Sequence, residues 1–272
     1  MKNKHQKKSL KISSSKNING KKPVLSIIIP VYNEGCNLEI LLPLLKPMVP
    51  VSHEILVVHD IPNDDSIPAV KSMHSSYPQV RLVHNTLGRG VINAIKTGFS
   101  SAKGKYVLII AADDIGPLVI IKPMLELMEN GCDFVNATRY TLGGKNIGGI
   151  PISRMLSRVA NSLFRVLSGS ALSDPTLGVK MMRRELFESV HLESKPIGWA
   201  FSFELAIKAQ LSGWKLGEIP LISLNRLYGG KSSFRLGPWV KEYSRWFVWG
   251  IIQLRKSKSR SISVMRSAQR HP

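Results

Sequence analysis

Two adjacent carboxylates, Asp113 and Asp114, directly follow the apolar run YVLIIAA and precede Ile, Gly and Pro. Because like charges at this spacing repel, a purely structural site would separate them or pair each with an arginine. Mg²⁺ and Mn²⁺ prefer oxygen ligands and often bind only one or two protein carboxylates, with phosphates and waters completing the shell. The pair therefore predicts a site for Mg²⁺ or Mn²⁺ at a strand end. A turn in which an Asp caps the next helix is the structural alternative.

Two other acidic residues also follow apolar runs: Glu34 comes after SIIIPVYN, and Asp60 comes after EILVVH. Strands that are nearly all apolar are typical of a parallel sheet covered by helices on both faces. Active sites in such sheets lie at the carboxyl ends of the strands. We therefore expect Glu34, Asp60 and Asp113 to lie along one edge, in a site for a metal and a nucleotide.

The elements that would position these acids alternate along the chain from residue 23. Strands are predicted at 24–30, 54–58, 80–84, 106–111 and 134–138. Helices are predicted near 35–46, 64–75, 90–102 and 117–130. The second half is less regular, with helices near 151–168 and 200–213 and strand-like segments near 178–182 and 216–222. The alternation predicts an α/β domain with a mostly parallel sheet.

The net charge of +20 is concentrated at the two ends of the chain. Residues 1–22 contain eight Lys and no acid, and residues 255–272 contain six Lys or Arg and no acid. Tails of this composition are predicted to be disordered and to be attracted to polyanions such as anionic lipid or RNA. The body carries 24 basic and 18 acidic residues, and no nucleic-acid-binding module is visible, which argues against a specific nucleic-acid partner.

Cysteine content and hydropathy indicate the compartment. Cys36 and Cys132 are the only cysteines, which predicts neither a disulfide framework nor a thiolate metal site and fits the cytosol. The basic N-terminus lacks the apolar run of a signal peptide, and no stretch of about 18 apolar residues is present. We expect a cytoplasmic protein that is soluble or peripheral on the inner face of the membrane.

The segment 236–254 has an amphipathic aromatic pattern. Trp239, Tyr243, Trp246 and Phe247 recur at helical spacing, and a basic tail follows. This pattern suits a helix in a membrane interface. It also suits a helix packed on the catalytic body, and the sequence does not separate the two.

An ordered set of motifs carries a family resemblance. SIIIPVYNE, VVHDIPNDD, GRGVINAIKTGF, AADDIGP, DPTLGVKMMRRE, GWAFSFELAIKA and NRLYGGKSSF occur in this order. The set resembles the family 2 glycosyltransferases, and most of all the dolichol- or polyprenyl-phosphate mannosyltransferases and their bacterial relatives. The resemblance implies a GT-A-like fold spanning 23–235. The domain organisation is then a basic tail (1–22), the transferase domain (23–235), the aromatic helix (236–254) and a second basic tail (255–272).

The resemblance also implies roles on the donor side. It assigns nucleotide binding to Pro30, Tyr32, Glu34, Asp60 and Asp113. It assigns the metal to Asp113, with Asp114 as a replacement or supporting acid. The chain departs from the family where the first acid of the Asp-x-Asp motif is Ala111, and where the usual Asp-Asp-Gly-Ser after the second strand is His59, Asp60, Ile61 and Pro62.

On the acceptor side, the resemblance points to basic residues. Arg139, Arg154, Ser157 and Arg226 are similar to an acceptor-phosphate site, and Lys231 lies with Arg226 in a basic loop over the phosphates. A lipid phosphate is already an anion and needs cations rather than a base. Asp174 is a candidate base if the acceptor is a hydroxyl group, and organises its loop if the acceptor is a phosphate.

With the resemblance, these features predict a metal-dependent glycosyltransferase that moves a hexose, mannose or glucose, from a GDP- or UDP-sugar to a polyprenyl phosphate at the cytosolic membrane face. A saccharide hydroxyl acceptor in polysaccharide assembly is one alternative. A degenerate nucleotide-binding member without turnover is another, because Ala111 replaces an acid.

Overall fold

A computed structural model describes residues 22–148, 151–224, 236–257 and 264–266. The strands are β1 (Leu25–Val31), β2 (His53–His59), β3 (Val80–His84), β4 (Tyr106–Ile109), β5 (Phe134–Thr138), β6 (Lys145–Ile147), β7 (Lys180–Arg183), β8 (Leu216–Pro220), β9 (Ile222–Leu224) and β10 (Val264–Arg266). The helices are α1 (Gly35–Met48), α2 (Ser66–Met73), α3 (Val91–Ser101), α4 (Ile121–Glu129), α5 (Pro151–Ser168), α6 (Arg184–Phe187), α7 (Ala200–Leu211) and α8 (Leu236–Lys256), with a 3-10 helix at Gly116–Ile120.

The central sheet has eight strands in the order β10-β8-β5-β7-β4-β1-β2-β3. All neighbours pair in parallel except β7, which is antiparallel to both β4 and β5. One apolar cluster lies on the α1 and α4 face, and a second lies on the α3 and α7 face. The predicted α/β class, with a mostly parallel sheet covered by helices, is confirmed.

The strand ends create the edge that the sequence predicts. β1 lies between β2 and β4, and the three are parallel, so their carboxyl ends emerge on the same side of the sheet. Glu34, Asp60 and Asp113 all follow these strands within a few residues. The second half supplies β5, β7 and β8, and β6 pairs with β9 in a separate two-stranded sheet. The short strands β6 and β9 are absent from the sequence-based prediction.

The aromatic face of α8 packs against protein. Trp246 is 1% exposed and belongs to a cluster with Phe164 of α5 and Phe203 of α7. A Cβ on Gly250 would lie 2.9 Å from the Phe164 ring, so this glycine permits the close approach of α5 and α8. These contacts support the alternative in which α8 packs on the catalytic body, and the membrane-interface interpretation of this helix stays a prediction.

The prediction that the two basic tails are disordered can be compared with the structure only in part. Residues 1–21, which make up almost all of the N-terminal tail, lie outside the described residues. In the C-terminal tail, Val264–Arg266 forms β10, which pairs in parallel with β8. The prediction of disorder throughout 255–272 is therefore wrong at this strand. Val264 and Met265 pack against the two core clusters. The edge of β8 provides backbone groups for β10 to pair with. No helix among the described segments combines the length and apolar character needed to cross a bilayer.

Candidate active site

The loop after β1 is fixed by acidic residues that precede α2. The backbone N–H of Asn33 donates to both carboxylate oxygens of Asp64, at 3.2 and 3.1 Å, and the N–H of Gly35 donates to Asp65 Oδ1 at 2.8 Å. Asn33 has φ +55°, a conformation that Asn tolerates better than most residues. Asp64 and Asp65 thus hold the loop that presents Tyr32 and Glu34. The sequence analysis missed this role, although both acids stand in the conspicuous run NDDS.

Asp60 organises the loop after β3. Its Oδ1 accepts from Asn85 Nδ2 at 2.6 Å, and its Oδ2 accepts from the N–H of Gly90 at 2.9 Å. Gly90 has φ +126°, and a Cβ there would lie 2.5 Å from Pro196 Cβ, so only glycine fits. Asp60 is half-buried. The carboxylate thus joins the end of β2 to the loop after β3 at the predicted edge.

Tyr32 is an exposed ring beside a cation that the sequence analysis did not single out. The Arg89 guanidinium lies 4.6 Å from the centre of the Tyr32 ring, and both side chains are exposed at this edge. Arg89 stands between two glycines in GRG, which is the signal that could have identified it. Pro30 lies nearby in β1, in register with Val58 of β2. The edge therefore offers an aromatic face and a cation, which suit a base and a phosphate respectively.

Glu34 and Asp113 share one electrostatic environment. Burial raises the pKa of Glu34, a hydrogen bond from Asn37 lowers it, and the charges of Asp113, Asp65 and Asp64 raise it further. Asp113 is half-buried at the end of β4. Because these carboxylates repel one another, a cation between them and a bound diphosphate would relieve the repulsion.

Asp114 has a different environment from Asp113. It is buried, and its Oδ1 accepts from the N–H of Gly116 at 2.8 Å and from that of Leu224 at 3.0 Å. Its Oδ2 accepts from Ser223 Oγ at 2.6 Å. A Cβ on Gly116 would lie 2.1 Å from the carbonyl oxygen of Ile222, so this glycine allows β9 to approach. Asp114 ties the end of β4 to β9. Its role beside a metal stays a prediction.

The donor set at this edge fits a hard divalent ion that is shared with a substrate. Among the residues that the structure describes, no three His, Cys, Asp or Glu side chains converge on a metal position. Mg²⁺ and Mn²⁺ need no such cluster, because one or two carboxylates suffice when substrate phosphates and waters complete the shell. Asp113 supplies an oxygen ligand of the appropriate kind.

On the acceptor side, Arg139 and Asp174 form a closed ion pair. Arg139 donates through Nε to Asp174 Oδ2 at 2.7 Å and through Nη2 to Oδ1 at 3.0 Å, and its backbone N–H also donates to Oδ2. Asp174 is fully buried. Burial alone would lower the pKa of Arg139, but the charge and hydrogen bonds of Asp174 raise it. Arg139 was predicted to bind the acceptor phosphate; in this structure its Nε and Nη2 donate to Asp174.

Residues of α5 surround this ion pair. Tyr140 donates through its hydroxyl to Ser157 Oγ at 2.8 Å. Asn161 donates to Thr176 Oγ1 at 3.0 Å, and Thr176 donates to Asp174 Oδ1 at 3.2 Å. Burial raises the pKa of Tyr140, so its phenol stays protonated and can donate at neutral pH. The inner face of α5 is thus connected to Asp174 through a chain of hydrogen bonds.

The remaining predicted cations fall in different places. Arg154, in the first turn of α5, donates to the carbonyl of Gly148 at 2.8 Å and is half-buried. Arg226 and Lys231 lie outside the described residues. Tyr243 of α8 is close enough to Arg139 and Asp174 for their charges to affect it, while burial raises its pKa. The sequence-based analysis did not place Tyr243 beside the acceptor side.

Lys180 lies fully buried behind the ion pair. Its Nζ donates to Asn136 Oδ1 at 2.5 Å and to the carbonyl of Pro175 at 3.2 Å. Burial lowers the pKa of Lys180 to about 7, although the charges of Asp174 and Glu218 oppose this shift. Glu218 is also buried, and its Oε1 accepts from the N–H of Ser173 at 2.8 Å. These contacts fix the segment 173–175 from the side opposite Arg139.

Comparison with known proteins identifies the family. Residues 26–190 match the family described as Glycosyl transferase family 2. A dolichol-phosphate mannosyltransferase of Pyrococcus furiosus is 30% identical over 245 residues, which cover 85% of this chain and 68% of the relative. A polyprenol monophosphomannose synthase of Mycolicibacterium smegmatis is 30% identical over 211 residues, covering 75% of this chain and 78% of the relative.

A solved structure shares the fold at low identity. Glucosyl-3-phosphoglycerate synthase from Mycobacterium tuberculosis, in complex with Mn²⁺, UDP-glucose and phosphoglyceric acid, superposes with a TM-score of 0.61 at 18% identity. The match covers 85% of this chain and 79% of that one. The predicted GT-A-like fold is confirmed. With the motifs in order, the acidic edge in place and more than half of the chain matched, this chain belongs to glycosyl transferase family 2 and is a glycosyltransferase.

Proposed function

We propose that this enzyme transfers a hexose, mannose or glucose, from a GDP- or UDP-sugar to a polyprenyl phosphate at the cytosolic face of the membrane. Relatives named dolichol-phosphate mannosyltransferase and polyprenol monophosphomannose synthase support mannose and a prenyl phosphate. The solved neighbour with UDP-glucose keeps a uridine donor among the candidates.

The closed Arg139–Asp174 pair carries the proposal. A hydroxyl acceptor must lose a proton near the transition state, so it needs a carboxylate that is free to accept one. Asp174 is the candidate for that role, yet it is fully buried and accepts three hydrogen bonds from Arg139. A phosphate monoester is already ionised at neutral pH and attacks without a base. The geometry therefore favours a phosphate acceptor over a saccharide hydroxyl.

The donor edge has the groups that a nucleotide sugar requires. Glu34 and Asp60 offer carboxylate oxygens to base or ribose donors, and Tyr32 offers a stacking face. Arg89 supplies a positive charge near the Tyr32 ring. In the transfer step, an oxygen of the acceptor phosphate forms a bond to the anomeric carbon while the bond to the nucleoside diphosphate breaks. The electron pair of the broken bond leaves on the diphosphate.

Asp113 would hold the divalent metal, and Asp114 would keep the metal-binding turn fixed against β9. When bound, Mg²⁺ or Mn²⁺ stabilises the negative charge that develops on the leaving diphosphate. Arg154 and Ser157, on the first two turns of α5, are proposed to contact the acceptor phosphate, together with Arg226 and Lys231. Arg139 acts through Asp174 and positions the segment between β5 and α5.

The test is a screen of radiolabelled GDP-mannose, GDP-glucose and UDP-glucose with purified protein, polyprenyl phosphate and MnCl₂. Label that is extracted into organic solvent measures the product. We expect label in the organic phase for one of these donors, only when both the lipid phosphate and a divalent ion are present. Label that enters only a saccharide acceptor would overturn the proposal in favour of polysaccharide assembly. Nucleotide binding without turnover on any acceptor would indicate a degenerate member.

A matched pair of variants tests the acceptor site. Arg154→Gln should raise KM for the lipid phosphate about 10- to 100-fold and leave the Kd for nucleotide unchanged, because a charged contact to the phosphate is lost. Lys122→Gln, which removes an exposed cation on α4, should leave both constants unchanged. Equal KM values for the two variants would remove Arg154 from the acceptor site.

A further inference from the structure

The outer face of α5 is apolar and exposed. Six large apolar side chains on this helix are between 49% and 75% exposed, namely those of Ile152, Met155, Leu156, Val159, Leu163 and Val166. They recur about three or four residues apart, so they form one stripe along the helix. Scattered exposed apolar residues are normal on protein surfaces, but a continuous apolar stripe marks an interaction surface.

The inner face of α5 is already occupied, so the stripe is a second apolar face. Phe164 is buried and contacts Phe203 of α7 and Phe247 of α8, with ring centres 4.7 and 5.4 Å apart. Asn161 and Ser168 are also buried on this side. The apolar residues on the outer face are therefore not needed to seat α5 on the enzyme.

The charges of α5 point to the chemistry of its partner. The helix contains Arg154, Arg158 and Arg165 and no acidic residue. Two copies of such a helix would repel each other, whereas a surface with negative charge and an apolar interior would complement both features. An anionic lipid bilayer has these properties, and helices with an apolar face and basic flanks lie in its interface.

The position of α5 connects this surface to the candidate acceptor site. Ser157 and Asn161 are on the inner side of the same helix and are hydrogen-bonded to Tyr140 and to Thr176, next to Asp174. A lipid whose phosphate reaches Arg154 and Ser157 would have its chain in the layer that the outer stripe contacts. This connection rests on the proposed function, since only a lipid acceptor would link the outer stripe of α5 to the candidate acceptor site on its inner face.

We infer that the outer stripe of α5, rather than the aromatic face of α8, is the membrane-binding surface of this enzyme and that it inserts into the interface of an anionic bilayer. α8 then packs against the inner face of α5 and holds it on the enzyme. The basic ends of the chain add nonspecific attraction, which salt screens, whereas the apolar contact of α5 persists in salt.

The experiment measures co-sedimentation of the full chain with vesicles of phosphatidylcholine and phosphatidylglycerol, at low salt and at about 0.5 M NaCl. The test variant is Leu156→Gln with Leu163→Gln. Its matched control is Leu44→Gln with Met48→Gln, which removes two exposed apolar side chains of α1. Circular dichroism verifies that both variants are folded.

We expect the α5 variant to bind vesicles about 10- to 100-fold more weakly than the wild type at high salt, because two apolar side chains no longer enter the interface. The α1 variant should bind like the wild type. Equal binding of both variants would overturn the inference. So would a wild-type dimer that the α5 variant converts to a monomer without a change in vesicle binding, since a second copy would then cover the stripe.

A second measurement separates this inference from the proposed function. Turnover of a short, water-soluble prenyl phosphate requires no bilayer, so the α5 variant should retain it within about twofold while losing vesicle binding. If the α5 variant lost vesicle binding while the wild type did not use any prenyl phosphate, the membrane surface would be supported and the proposed acceptor would be rejected. If the α5 variant kept both vesicle binding and prenyl phosphate turnover, the membrane surface would be rejected and the proposed acceptor would be supported.

Discussion

The donor edge and the acceptor side of this enzyme use their charges in opposite ways. At the donor edge, Glu34 and Asp113 are half-buried carboxylates whose mutual repulsion raises the pKa of Glu34 beyond the effect of burial. On the proposed acceptor side, Arg139 and Asp174 neutralise each other in a bidentate pair whose carboxylate is fully buried. A cation and a substrate would relieve the repulsion among the carboxylates at one edge, whereas the paired charges on the other side stabilise the fold.

The largest expected effect comes from opening the acceptor-side pair. Arg139→Ala leaves the Asp174 carboxylate buried without its partner, which should lower the free energy of unfolding by about 3 to 5 kcal/mol, measured by urea denaturation. Arg183→Ala is the matched control, because it breaks an Arg–Asp pair of similar length in which both side chains are about one quarter exposed. That control should cost no more than about 1 kcal/mol.

A stability loss at Arg139 that equals the loss at Arg183 would contradict the structural role of the pair. If such a variant also failed to bind the lipid phosphate, Arg139 would return to the acceptor site as a direct ligand. The contrast between the two sides would then fail, since the charged side chains of both sides would bind substrate.

The next effect concerns the two adjacent acids at the proposed donor edge. Asp113→Asn should lower kcat about 100- to 1000-fold, because a carboxylate ligand of the metal is lost. Asp114→Asn should lower activity less but reduce the melting temperature, because its carboxylate accepts hydrogen bonds from Gly116, Ser223 and Leu224. Small and equal activity losses in both variants would remove Asp113 as the metal ligand.

The contrast also shows how far the sequence alone can lead. β3, β5 and α5 have the predicted bounds, because strand periodicity, helical periodicity and turn residues are local signals. The acids at the donor edge were located because parallel strands bring their carboxyl ends together. The roles of Asp64 and Asp65 were missed, since binding a backbone N–H some thirty residues away leaves no local pattern.

The acceptor side was harder to predict for a physical reason. The Arg139–Asp174 contact depends on β5 pairing with an antiparallel β7, and an antiparallel strand within an α/β pattern has no distinct sequence signal. Trp246 and Phe247 would suit a bilayer or a protein interior equally well, because both environments are apolar. The three-residue strands β6, β9 and β10 are too short to show alternation.

A smaller effect is expected at Gly116, where the backbone lies close to β9. In Gly116→Ala, the new methyl group would meet the carbonyl of Ile222, so β9 must shift, at a cost of about 1 to 3 kcal/mol in the free energy of unfolding. Gly131→Ala is a control in which no atom lies within 4 Å of the new Cβ; its strain comes only from φ +99°. If Gly116→Ala had no larger effect than this control, the contact between the 3-10 helix at Gly116–Ile120 and β9 would not be tight.

The smallest effect is a pH dependence from Lys180. Burial lowers its pKa to about 7 in the folded state, whereas an unfolded lysine titrates near 10.4. Between these values the unfolded chain binds more protons, so this residue makes the free energy of unfolding rise with pH, by at most about 1.4 kcal/mol per unit. Lys180→Met should remove this slope between pH 7.5 and 9, while Lys215→Met, at an exposed position, should keep it. Identical slopes in the two variants would mean that Lys180 stays charged.

The antiparallel strand β7 also sets an order of events during synthesis on the ribosome. β1 to β4 can pair among themselves as soon as residue 109 has left the exit tunnel, because β4 contacts β1 directly. β5 cannot join that sheet when it emerges, since its neighbours are β7 and β8, which come more than forty residues later. The nascent chain therefore completes its nucleotide-side half first and carries β5 and α5 unattached until residues 180–183 emerge. We expect the apolar stripe of α5 to be exposed throughout that interval, which would favour binding by a chaperone.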